Sequence, residues 1–160
     1  MKSILRFLSW QWCLNLSVGV LILSIILNFY GLYSNKFYLL KPDNYIFPVL
    51  TIFHFVYLYV FWFKIREREL PDPQMRNLEY AMYAIVLVYT FKILDTLYIL
   101  TTYSDYENHI MPATFIPIGI FILIIQIVLL LLTIITFFHR KERVGDYNFD
   151  NINENIDSWQ

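Results

Sequence analysis

The sequence predicts an all-α integral membrane protein: a four-helix bundle with both termini cytoplasmic, a short interfacial helix in front and a cytoplasmic C-terminal tail behind. Three observations predict it. Four apolar stretches, Trp12 to Tyr30, Tyr45 to Phe63, Tyr80 to Leu100 and Ala113 to Phe138, each offer about the twenty residues that a helix needs to cross hydrocarbon. Apart from Lys92 and Asp95, none of the four contains a Lys, Arg, Asp or Glu, as the cost of charge in lipid demands. The chain is 58% hydrophobic with a net charge of -1, and its charges fall in clusters between the apolar blocks instead of being spread as on a soluble domain. Residues 1–140 therefore read as one transmembrane domain and 141–160 as an acidic cytoplasmic tail.

The elements follow in order. Ile4, Leu5, Leu8 and Trp12 fall on one side of the first dozen residues and Lys2, Arg6 and Ser9 on the other, the pattern of an interfacial helix with Trp10 and Trp12 at headgroup level. The apolar core of span one, Cys13 to Phe29, is longer than that of a signal peptide and no small-x-small pair follows it, so the segment is expected to stay as a span. Span two is expected to run past Phe63 into the mixed-charge stretch Lys64-Ile65-Arg66-Glu67-Arg68-Glu69 before Pro71 stops it. Asp72 as N-cap and Pro73 at the first helical position start helix three several residues before it enters lipid. Pro112 and Pro117 bracket the start of span four, where first-turn amides lack helical partners in any case.

Orientation follows from the cations, because Lys and Arg resist translocation whereas Asp and Glu matter little. Nine of the twelve lie at the amino end (Lys2, Arg6), in the second loop (Lys64, Arg66, Arg68, Arg76) and at the carboxyl end (Arg140, Lys141, Arg143). Both ends are expected inside the cell, in a plasma (inner) membrane.

Polar residues within the spans carry most of the functional information. Lys92 and Asp95 are three apart on helix three, so they share a face and can pair, and that face is expected to point into the bundle. At about 1.5 Å per residue, Lys92 lies roughly 12 Å below the outer end of its span, with His54 at a similar depth and Ser24 and Asn28 in the same outer half. These five residues form a candidate intramembrane polar pocket. Interhelical hydrogen bonding is the commoner use of such groups, and a ligand or ion site is the alternative. Gly119, Gln126 and Thr133 recur at heptad spacing on helix four, and Ser17, Ser24 and Gly31 repeat it on helix one. Such stripes mark helix packing, within one protomer or between protomers; a Gln126 facing a symmetry axis would line a narrow pore.

After Arg143 the tail has no positive charge and gathers Asp146, Asp150, Glu154 and Asp157, while Phe149, Ile152, Ile156 and Trp159 form an apolar stripe on a short helix. A helix so short needs a partner, either the basic loop (Arg66, Arg68, Arg76) or another cytoplasmic protein. In the outer loop Asp105, Glu107 and His109 alternate, which is ordinary for a solvated loop, and no metal site is assigned.

Several classes are excluded. Cys13 stands alone, so neither an internal disulfide nor a thiol pair can form, which removes four-span thiol oxidoreductases. His54 is the one histidine within the spans, which excludes a bis-histidine haem. There is no HExxH, no paired carboxylates and no nucleophile beside a base. The expectation is a non-enzymatic anchor or subunit without cofactor, in contact with the lipid bilayer, homo-oligomeric or part of a larger membrane complex, and recruiting a cytoplasmic protein through its second loop and tail. No nucleic-acid partner is expected. The alternative is a small oligomeric channel, transporter, lipid-binding or membrane-permeabilising defence protein that uses the polar pocket.

Overall fold

The computed structural model describes residues 8–103 and 112–147, and four helices dominate it: α1 (Trp10–Asn28), α2 (Ile46–Glu67), α3 (Pro73–Thr101) and α4 (Phe115–Arg143). Each is long and apolar enough to cross a membrane. Among the described residues the fold is all-α but for a two-stranded hairpin, β1 (Tyr30–Gly31) and β2 (Lys36–Phe37), followed by a 3-10 turn at Pro42–Tyr45.

Local chemistry sets the helix ends. Ser9 is extended and its Oγ accepts the Trp12 amide at 3.4 Å, so α1 begins at Trp10. Trp10 and Trp12 consequently belong to the first turn of the spanning helix rather than to a separate interfacial one; residues 1–7 lie outside the described residues. α2 ends at Glu67, short of Pro71, because Arg68 turns left-handed (φ 55°). Lys64 then closes the connection: its carbonyl accepts the Glu69 amide at 3.0 Å, and its ammonium reaches the carboxylates of Glu69 and Asp72, each at 2.7 Å. Asp72 caps α3 as expected, accepting the Met75 amide at 2.7 Å. Burial raises the Asp72 pKa, but the Lys64 ammonium and the Met75 amide outweigh it and hold the carboxyl below the usual aspartate value.

At the other end, α1 stops at Asn28, so Gly31 is not part of a helical stripe. It pairs with Lys36 in the hairpin, and a Cβ there would sit 2.5 Å from the Tyr38 ring, which leaves glycine as the residue that fits.

The helices run alternately up and down, with neighbours in the cyclic order α1, α2, α3, α4. Leu21, Tyr57, Leu58, Met82, Ile85, Tyr89 and Leu129 fill the centre, and Phe61, Met75 and Val144 form a second cluster toward the termini. Five polar residues of the spans face inward, with Ser17, Thr51, His54, Thr133 and Thr136 fully buried, while Phe91, Leu87, Ile52 and Leu131 are exposed. Apolar exteriors with hydroxyls inside suit a lipid solvent. Two of the buried hydroxyls are satisfied within their own helices, Ser17 by the Cys13 carbonyl and Thr133 by the Leu129 carbonyl, each at 2.7 Å. The Cys13 thiol lies 3.4 Å from Thr136 Oγ1, which joins α1 to α4.

Candidate functional site

At the hairpin end the bundle holds a cavity of about 210 Å³. Ser24 and Asn28 of α1, Lys92 and Thr96 of α3, and Gln126 of α4 supply its polar groups. Phe47, Ile99, Ile122, Ile125 and Leu129 supply apolar walls, and Tyr30, Leu32 and Tyr33 cover it from the hairpin side. The cover is braced, since the Tyr33 ring packs on Phe115 at 5.2 Å and Phe115 stacks on Tyr103 at 5.1 Å.

Asn28 organises the polar side. Its Oδ1 accepts from the Lys92 ammonium, and its Nδ2 donates to the Asn44 carbonyl at 2.6 Å. Asn44 in turn donates to the Tyr38 carbonyl at 3.0 Å. One side chain thus ties α1 and α3 to the cover. Lys92 Nζ also lies 4.8 Å from the centroid of the Phe47 ring, a cation–π contact. Two of the cavity's polar groups have no hydrogen-bond partner among the described residues: Ser24 Oγ and Gln126 Oε1. Ser24 is only 7% exposed. A buried hydroxyl left unpaired costs roughly 1–3 kcal/mol, so its presence in a cavity calls for an explanation.

The five residues expected to share a pocket divide. Ser24, Asn28 and Lys92 line the cavity. His54 does not; it is fully buried behind it, with Nδ1 3.0 Å from the hydroxyl of Tyr89, a lining residue. Asp95 is exposed and makes no ion pair with Lys92 among the described residues. The expected Lys92–Asp95 ion pair is not formed because the Lys92 ammonium reaches inward to Asn28 while the Asp95 side chain is exposed.

The α4 stripe faces inward. Gly119 is buried where a Cβ would come within 2.6 Å of Leu100 of α3, and Thr133 is fully buried. Gln126, expected to serve packing, lines the cavity instead. The stripe is therefore used within the bundle.

A second constellation, at the end nearer the termini, was not anticipated. Glu79 of α3, 1% exposed, faces Arg140 of α4, with Oε2 2.7 Å from Nε and Oε1 2.8 Å from Nη2. Tyr83 and Tyr147 each donate to the same carboxylate at 2.7 Å, and Arg140 Nη1 donates to the Gly145 carbonyl at 2.8 Å. The Arg140 guanidinium also lies 4.2 Å from the centroid of the Tyr147 ring. Burial, then the hydrogen bond to Glu79, pushes the Tyr147 phenol well above its ordinary pKa. Sequence held a signal for this site: Glu79 precedes span three by one residue and Arg140 follows span four by two, so an antiparallel pair of helices brings them level.

Of the expected partner-binding residues, Arg66 and Arg68 are exposed and Arg76 is half-buried. The Arg66 guanidinium lies 5.0 Å from the centroid of the Trp62 ring. Phe149, Ile152, Ile156 and Trp159 lie outside the described residues, as do Asp105, Glu107 and His109. Among the described residues no cluster of three or more His, Cys, Asp or Glu could hold a metal ion. No protein-family model, curated protein or solved structure matches the chain.

Proposed function

We propose that this chain is a non-enzymatic membrane protein that holds a small amphiphilic molecule in the hairpin-end cavity. The observation that carries the reading is the unpartnered, buried Ser24 Oγ in a cavity that also contains Lys92 and the free Oε1 of Gln126. Few convergent polar groups on mostly apolar walls are the usual makings of a small-ligand site. Catalysis is not favoured, because Lys92 donates to Asn28 and no hydrogen bond joins it to the Ser24 hydroxyl, which leaves that hydroxyl without a base. The cation distribution supports both termini in the cytoplasm of a plasma membrane, with the cavity in the outer half of the bilayer.

The test is native mass spectrometry of protein extracted in neutral detergent, compared with an Ile125→Trp variant whose indole fills the cavity. Retained amphiphile on the wild type and its loss from the variant are expected. Equal adducts on both proteins, or none on either, would count against the reading.

A second reading, recruitment of a cytoplasmic protein at the opposite end, is favoured by the exposed Arg66 and Arg68 and by the fixed position of Tyr147, from which the tail departs. Deleting residues 149–160 should release such a partner without unfolding the bundle. Unchanged co-purification would count against it.

A further inference from the structure

We infer that the occupant of the hairpin-end cavity is a single-chain amphiphile carrying one negative charge, a carboxylate of the fatty-acid class, with its headgroup at Lys92 and Ser24. The inference rests on the binding reading above and adds the chemistry of the ligand.

Charge is the first argument. The two buried cations of the bundle have carboxylates beside them, Lys64 with Glu69 and Asp72 and Arg140 with Glu79, all at 2.7 Å, whereas Lys92 is half-buried in the cavity lining. Lys92 has none. Its hydrogen-bond partner is the neutral Oδ1 of Asn28, the Phe47 ring covers another side, and Asp95 makes no ion pair with it. An ammonium has three donors, so two remain for a ligand. A charge held among apolar side chains without a counter-ion in contact is costly, and an anion in the cavity lowers that cost.

The hydroxyl is the second. Ser24 Oγ has a proton to donate and no acceptor among the described residues. It lines the same cavity from α1 as Lys92 does from α3. A carboxylate with two acceptor oxygens suits an ammonium and a hydroxyl offered together.

Size and walls are the third. About 210 Å³ is below the roughly 300–1,000 Å³ of pockets for drug-sized ligands, which suits one acyl chain better than two. Ile99, Ile122, Ile125 and Leu129 offer an aliphatic path for one chain. The lining contains no second cation, so a dianionic phosphate monoester would be left half neutralised.

The experiment measures binding to the full chain in neutral maltoside micelles at about pH 8, where a carboxylate is ionised and an ordinary lysine is protonated. The probes are decanoate, decanol and decyltrimethylammonium, each corrected for binding to the cavity-filled Ile125→Trp protein. Decanoate is expected to bind at least tenfold more tightly than either other probe. Lys92→Met should abolish the preference, and Lys92→Arg should retain it, which separates loss of charge from loss of fold. If decanol binds as tightly as decanoate to the wild type, the carboxylate is refuted while the cavity-binding reading stands. If none of the three exceeds its Ile125→Trp background, both fall. Competition by phosphatidylglycerol as strong as that by decanoate would overturn the single-chain assignment.

Discussion

Removing the Glu79 carboxylate should destabilise the bundle more than any other single polar truncation at the end nearer the termini. Glu79 accepts from Arg140 twice and from Tyr83 and Tyr147 once each, within 2.8 Å in every case. In Glu79→Leu the guanidinium of Arg140, itself 6% exposed, keeps only the Gly145 carbonyl and the Tyr147 ring. Breaking a buried ion pair from one side costs roughly 3–5 kcal/mol because a charge is left uncompensated. Replacing both partners by apolar residues is often neutral, so Glu79→Leu combined with Arg140→Met should recover at least about 2 kcal/mol of the summed single-variant losses. The assay is reversible unfolding in mixed dodecyl sulfate and maltoside micelles, followed by circular dichroism, for the full double-mutant cycle. A Glu79→Leu loss below about 1 kcal/mol, the range of an exposed pair, would refute the reasoning. So would a double variant whose loss equals the sum of the singles.

Three further outcomes follow from particular contacts. Tyr89→Phe leaves buried His54 Nδ1 without its partner and should cost about 1–3 kcal/mol in the same assay; His54→Leu in the Tyr89→Phe background should recover part of it, and no recovery would contradict the pairing. Gly119→Val pushes a side chain into the space where a Cβ already meets Leu100 at 2.6 Å and should cost about 1–3 kcal/mol, which Leu100→Ala should partly restore. The carboxyl of Asp72 is depressed in the folded state, so its contribution is present above its ordinary value of 3.8 and is lost as pH falls through the folded pKa. Asp72→Asn keeps a capping side chain without the titration, and its melting temperature should fall less steeply than the wild type's below about pH 4; parallel curves would contradict the ion pair with Lys64.

The spans were legible because lipid imposes a one-dimensional rule: twenty apolar residues without charge mean a helix, whatever it packs against. Asp72 and Pro73 marked the start of α3 for an equally local reason. The end of α2 was less visible, since it depends on Arg68 adopting a left-handed turn that Lys64 stabilises through two carboxylates in the next connection. Pocket membership was partly legible. Depth along the spans grouped Ser24, Asn28 and Lys92, which line one cavity, whereas the shared face of Lys92 and Asp95 allowed an ion pair that the inward reach of Lys92 to Asn28 leaves unmade. Gln126 read as packing because heptad spacing marks the inward face without distinguishing a contact from a cavity wall. Glu79 and Arg140 escaped because each sits beside a span, where a charge ordinarily means solvent; only the antiparallel pairing of α3 with α4 brings them together.

The claim that the hairpin-end cavity takes an acyl chain is tested most directly by light-activated labelling with a decanoate carrying a terminal diazirine, followed by peptide mapping. The account predicts labels on the cavity walls at Ile99, Ile122 and Ile125, suppressed by excess unlabelled decanoate and absent from Ile125→Trp. Labels confined to the outward faces, at Phe91, Ile124 and Leu131, and insensitive to competition, would contradict it.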